Sequence, residues 1–155
     1  MRKKAIIISI KGTKLSNRER LLISKEKPWG IILFNRNIKS IDQIQKLVQD
    51  IRKSSKDKRF PILIDEEGKK VSRLSDIFNH DFNAYFFGNI YKKDKRAAIS
   101  LYKIYLKYLC NILKKVGVNI NTIQELDILR KKTHSIIGER SFSEKKEIVK
   151  QLGKI

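Results

Sequence analysis

Short unbroken apolar runs recur along this chain, and longer stretches between them carry apolar residues at helical spacing. The runs are Ala5 to Ile10, Gly30 to Phe34 and Phe60 to Ile64, each stopped by polar or charged residues. An apolar run without alternation is the mark of a strand covered on both faces, as in a parallel sheet. Between the first two runs, Leu15 to Lys27 holds Ser16 and Glu19 at capping-box spacing ahead of Leu21, Leu22 and Ile23, and Pro28 ends it. Ser40 and Gln43 repeat that spacing, and Ile41, Ile44, Leu47, Val48 and Ile51 fall on one face, which predicts a helix over Ile41 to Lys53. Strand, helix, strand, helix and strand thus follow one another by residue 65. That order implies parallel strands joined by right-handed crossovers, with strands near 5–10, 30–34, 61–65 and 117–121.

The second half is less regular. Residues 75–94 carry Phe78, Phe82, Tyr85, Phe86, Phe87 and Tyr91 without a clear period, the pattern of a long loop with short helical turns. The longest helix is expected from Arg96 to Lys115, its buried face formed by Ala98, Leu101, Tyr105, Tyr108, Leu109, Ile112 and Leu113, with Gly117 as its cap. Ser143, Glu144 and Glu147 open a last helix. No repeat, low-complexity tract or linker divides the chain, so residues 1–155 read as a single domain.

Charge changes the picture more than composition does. Thirty-six Lys and Arg face 16 Asp and Glu, a net charge of +20. Nonspecific adhesion to polyanions follows from that number. Specific nucleic-acid recognition does not, because the lysines are scattered and no RNP-type aromatic motif, zinc spacing or arginine-rich arm accompanies them. The single cysteine, Cys110, excludes an intrachain disulfide, fits a reducing compartment, and on an apolar helical face reads as core packing. The opening MRKKAIIISIKG has a basic head, but its largely apolar run is only six residues long and ends at Lys11, which suits a first strand better than a signal peptide. Nothing approaches the ~20 apolar residues of a membrane span. A cytoplasmic protein with no membrane partner, metal or cofactor is expected.

The stretch with the most chemistry is RFPILIDEEGKKVSRL at 59–74. Asp65, Glu66 and Glu67 cannot continue a buried strand, so they mark its carboxyl end, where parallel α/β folds bind ligands. Arg73 follows eight residues after Asp65, near enough for the loop to present both to one small ligand. A turn with solvated acids fits the same residues.

Three segments in order decide between these readings. GIILFNRNI at 30–38, IDEEGKKVSRL at 64–74 and IIGERSF at 136–142, with GTKLSNRE at 12–19 ahead of them, resemble the glycoside hydrolase family 3 β-N-acetylhexosaminidases of bacterial cell-wall recycling. The resemblance covers essentially the whole chain. It implies the amino-terminal half of a (β/α)8 barrel and the release of terminal β-linked N-acetylglucosamine from peptidoglycan sugars by a retaining mechanism. It also implies that Asp65 accepts hydrogen bonds from sugar hydroxyls, while Arg73 and Arg140 donate to the sugar or its attached group. For Arg140, pinning neighbouring carboxylates or carbonyls is the alternative.

The departures are specific. The second glycine of the family's EGG is Lys69 here, which would be strained if that position needs a positive φ. An expected Ala/Ser-Pro-Val turn reads Ile123-Gln124-Glu125-Leu126 before Asp127. The family's histidine-bearing acid/base loop and its later aspartate nucleophile have no counterpart, and neither His80 nor His134 lies in such a context. No catalytic residue is assigned. The chain is therefore expected to stop short of the catalytic groups, its missing half supplied as further chain or as a partner, or else to be a noncatalytic remnant that binds sugar or another chain.

Overall fold

The computed structural model describes residues 3–123 and 125–155. Met1 and Arg2 of the basic head, and Gln124 of the altered turn, lie outside the described residues. The chain forms two compact units, each held together by its own contacts. The first comprises the chain up to Glu66, Arg73–Asn79 and Asn111–Thr122, and the second Glu67–Ser72, His80–Cys110 and Ile123–Ile155.

The first unit is built on one sheet. Strands β1 (Lys4–Ser9), β2 (Pro28–Leu33), β3 (Ile62–Ile64) and β4 (Ile120–Asn121) lie in the order β1-β2-β3-β4, every adjacent pair parallel. This is the α/β arrangement that the alternation predicts. Helices α1 (Asn17–Glu26) and α2 (Ile41–Ser55) make the first two crossovers. All three residues of β3 are buried, as are Ile44, Leu47, Val48 and Ile51 of α2, so both the unbroken run and the helical stripe lie in the core. Strand β1 differs. It is an edge strand, and its Ile6 and Ile7 are 48% and 45% exposed, which leaves apolar surface beside an unpaired strand edge.

The two capping boxes come out differently. At α1 the box is reciprocal: Ser16 Oγ accepts from the Glu19 amide (3.2 Å), and Glu19 accepts from the Ser16 amide (2.8 Å). At α2, Ser40 Oγ accepts from the Gln43 amide (3.2 Å), but Gln43 Oε1 accepts from Lys39. The Gln43 amide nitrogen instead donates to the Thr13 and Asn37 carbonyls at 2.8 and 3.0 Å, tying down the loop after β1.

The second half of the chain corrects three expectations. Residues 84–93 are a helix, α3 (Ala84–Lys93), rather than part of a loop; Asn83 caps it by accepting from the Phe86 amide at 2.7 Å. Gly88 hides its period. A Cβ there would stand 1.7 Å from the Phe142 carbonyl oxygen, so close backbone approach takes the place of a core side chain. The long helix α4 (Lys95–Val116) starts where Asp94 accepts from the Ala97 amide (3.0 Å), and Gly117 follows at φ 84 as the expected cap. Its buried face is Ala98, Tyr102, Tyr105, Leu109, Leu113 and Val116; Leu101 and Tyr108, assigned to that face from sequence, are exposed. Cys110 is also exposed rather than packed in the core. The last helix, α5 (Lys146–Leu152), begins after Ser143, whose hydroxyl accepts from the Lys145 amide at 3.1 Å. Phe87, Tyr102, Tyr105 and Phe142 form a buried aromatic cluster, with Phe87 and Tyr102 ring centroids 4.8 Å apart and the exposed Phe82 ring 5.9 Å from Phe87.

Candidate functional site

The carboxyl ends of the four strands gather the polar residues that the apolar runs exclude. At β1 this is Ser9, at β2 Asn35 to Asn37, at β3 Asp65 and Glu66, and at β4 Asn121 and Thr122. Asn37 is fully buried and accounts for the polar triplet after β2: its Oδ1 accepts from the Phe34 amide, and its Nδ2 donates to the Ile10 and Gly12 carbonyls. It thereby fixes the end of β2 to the end of β1.

Asp65 and Glu66 are adjacent but differently placed. Glu66 is fully buried and its Oε2 accepts from the backbone amides of Arg73 (2.7 Å) and Leu74 (2.9 Å). Asn121 grips its backbone on both sides, donating to its carbonyl and accepting from its amide, each at 3.0 Å. Glu66 therefore sets where Arg73 begins. The Asp65 carboxylate is about a quarter exposed; Thr122 Oγ1 donates to it at 2.6 Å, and Arg73 Nη2 approaches it at 3.5 Å, the long limit of a hydrogen bond. The Arg73 guanidinium stands 5.6 Å from the Phe34 ring centroid, and that of Arg36 4.7 Å from the same ring. Arg36 is fixed below by the Ile10 carbonyl (3.0 Å) and the Ser9 hydroxyl (2.9 Å). The Arg73 Nε–H is buried without an acceptor among the described residues. The first unit thus brings Asp65 and Arg73 together, as the sequence predicts, beside Phe34, Arg36 and Thr122, which sequence reasoning did not single out. Strand register, not any one segment, places them there.

Arg140 belongs to the second unit and is engaged there. Its Nε and Nη2 donate to the two Glu67 oxygens at 2.7 and 3.0 Å, a bidentate fork, and Nη2 also reaches Glu125 at 3.0 Å. The hydrogen bond to Glu67 chiefly, with the Glu67, Glu125 and Asp127 charges, outweighs desolvation and holds the guanidinium pKa above its usual value. Ser141 Oγ donates to the Asp127 carbonyl at 2.5 Å, which anchors the turn carrying Arg140.

The loop at 67–72 closes on itself, with Glu67 N donating to the Val71 carbonyl (2.8 Å) and Val71 N to the Gly68 carbonyl (3.0 Å). Gly68, at φ 139, is the residue that needs to be glycine, since a Cβ would lie 2.6 Å from the Phe82 carbonyl oxygen. Lys69 is not in the positive-φ region, so the strain considered for it from sequence does not arise. Its ammonium pairs with Asp81 at 2.6 Å instead.

The profile of the glycosyl hydrolase family 3 N-terminal domain matches residues 2–155. The chain belongs to glycosyl hydrolase family 3. This family 3 chain is 29% identical over 147 residues to a beta-hexosaminidase of Thioalkalivibrio sulfidiphilus, and 28% identical over 144 residues to one of Xanthomonas axonopodis pv. citri. Those matches cover 95% and 93% of this chain but 42% of each relative, so the chain spans less than half the length of these curated relatives. Among solved structures it is similar to NagZ from Neisseria gonorrhoeae, with a TM-score of 0.89 at 26% identity over 97% of this chain and 43% of that one. One NagZ structure contains N-trifluoroacetyl-D-glucosamine. A family 3 β-N-acetylglucosaminidase from Paenibacillus sp. str. FPU-7 matches at TM-score 0.79 and 28% identity, over 95% of this chain and 27% of that one. The sheet is thus that of the amino-terminal part of the family 3 barrel, which these four strands do not close.

Proposed function

We propose that this chain is the amino-terminal portion of a β-N-acetylhexosaminidase that releases terminal β-linked N-acetylglucosamine by a retaining mechanism. In this reading residues 1–155 are one family 3 domain, the setting is cytoplasmic recycling of peptidoglycan sugars, and Asp65, Arg73 and Arg140 contact the substrate. The observation that supports it best is the Asp65–Arg73 pair at the carboxyl end of β3, in a chain matched by the family along its length. Asp65 keeps acceptor capacity beyond its bond from Thr122, and Arg73 keeps donors that its long contact with Asp65 leaves unused. A sugar ring needs both, since its hydroxyls donate and accept. Arg140 would act through Nη1, because Glu67 and Glu125 engage its Nε and Nη2.

Retaining hydrolysis needs a nucleophile for the anomeric carbon and a proton donor for the leaving oxygen. We assign neither role within these residues. Contacts that bind substrate and transition state alike do not accelerate the reaction. The purified 155-residue chain is therefore expected to give no turnover of a chromogenic N-acetyl-β-glucosaminide above a buffer blank. Co-expression with the product of the DNA downstream of codon 155 should restore release, and Asp65→Ala should abolish it. Turnover by the 155 residues alone would overturn the division of labour and make Asp127 the first nucleophile to test. Absence of release by the combined products would overturn the activity itself.

A further inference from the structure

Helix α4 carries two adjacent exposed stripes that the glycosidase reading does not use. Leu101, Ile104 and Tyr108 project at i, i+3 and i+7 and are 44%, 64% and 56% exposed, an apolar ridge separate from the helix's buried face. Arg96, Lys103 and Lys107 are exposed on the next stripe, at i, i+7 and i+11. Ile104 has Leu101 and Lys107 three residues away and Tyr108 four away, so ridge and charges meet around it. Lys95–Val116 contains no carboxylate, and its six Lys and Arg stand in a chain of net charge +20.

We propose that this face of α4 docks on the surface of an anionic lipid bilayer. Aliphatic tips flanked by lysines match the boundary where acyl chains meet negatively charged headgroups, and both contributions add there. Charge complementarity selects this occupant. A second copy would bring two chains of +20 together. A nucleic acid would use the lysines and leave Leu101 and Ile104 without a partner. No described helix is long and apolar enough to cross a membrane, and docking in the interface plane requires none. The proposal is independent of the glycosidase reading, and it revises the expectation of no membrane partner, which rested on span length.

Co-sedimentation of the 155-residue chain with vesicles tests it, using phosphatidylcholine alone and an equal mixture with phosphatidylglycerol. Binding is expected to the mixed vesicles only and to weaken with added salt. Ile104→Ser, at an exposed position with little reason to unfold the chain, should weaken it about tenfold. Lys103→Gln with Lys107→Gln should weaken it at least as much. Lys53→Gln with Lys58→Gln removes the same charge elsewhere and should change it less than twofold. Equal losses in the two double variants would show adhesion by net charge alone and overturn the proposal. So would unchanged binding by Ile104→Ser, an Ile104-dependent self-association without vesicle binding, or oligonucleotide binding that displaces no vesicles.

Discussion

Arg140 and Arg73 both meet carboxylates, and the difference between them separates a guanidinium spent on its partners from one that is not. Arg140 is saturated on one side, with a short fork to Glu67 and a third bond to Glu125. Arg73 makes one contact of 3.5 Å with Asp65 and rests near the Phe34 ring. Its position comes from its backbone, whose amide is held by the buried Glu66. Burying the neighbouring carboxylate to fix the chain leaves the arginine side chain uncommitted. The division of roles between Asp65 and Glu66 follows: one acid holds the loop, the other keeps acceptor capacity.

The largest effect that would sharpen this contrast is at Glu66. Glu66→Ala removes the acceptor of one buried and one partly buried backbone amide and should cost on the order of 3 kcal/mol, read as a lowered midpoint of chemical unfolding. Glu66→Gln keeps an acceptor and should cost less. Next is Arg140→Ala, which leaves Glu67 and Glu125 facing each other without their cation and should cost about 2 kcal/mol. Arg140→Lys, which loses the fork but keeps the charge, should fall between it and the wild type. Arg73→Ala should change stability by no more than about 0.5 kcal/mol, because its ion pair is long and partly exposed. A loss at Arg73 as large as that at Arg140 would break the comparison.

The smallest effect is expected in acid and involves neither arginine. Burial raises the Glu19 carboxyl pKa, but hydrogen bonds from the Lys11 and Ser16 amides and the Ser16 hydroxyl outweigh it and hold it below the usual 4.5. A depressed folded-state pKa contributes stability that is fully present above the unfolded value and disappears as pH falls through the folded one. Glu19→Gln should therefore flatten the acid limb of a stability–pH curve below about pH 4.5. An unchanged acid limb would remove Glu19 from the account.

How far the sequence could be read depended on what filled each position. The parallel sheet, α2 and the acids after β3 were legible because apolar side chains packed there at a regular period, and the Arg73 spacing held. Helix α3 was not, because at Gly88 a backbone contact replaces the expected side chain. The α4 face was misplaced because Leu101 and Tyr108 are apolar without being buried, so a wider stripe fitted the pattern. Lys69 looked strained because the family pattern put a glycine there, whereas the positive φ falls on Gly68 alone in that loop. Phe34, Arg36 and Thr122 sit beside Asp65 only through strand register, which no single segment encodes.

The central claim is that Asp65 and Arg73 receive an N-acetylglucosamine ring at the strand ends. Fluorine NMR of N-trifluoroacetyl-D-glucosamine titrated with the 155-residue chain tests it directly. The account predicts a shifted or broadened resonance with the wild type, lost in Asp65→Ala and in Arg73→Ala while both variants stay folded. An unperturbed resonance with the wild type, or equal perturbation by Asp65→Ala, would contradict it.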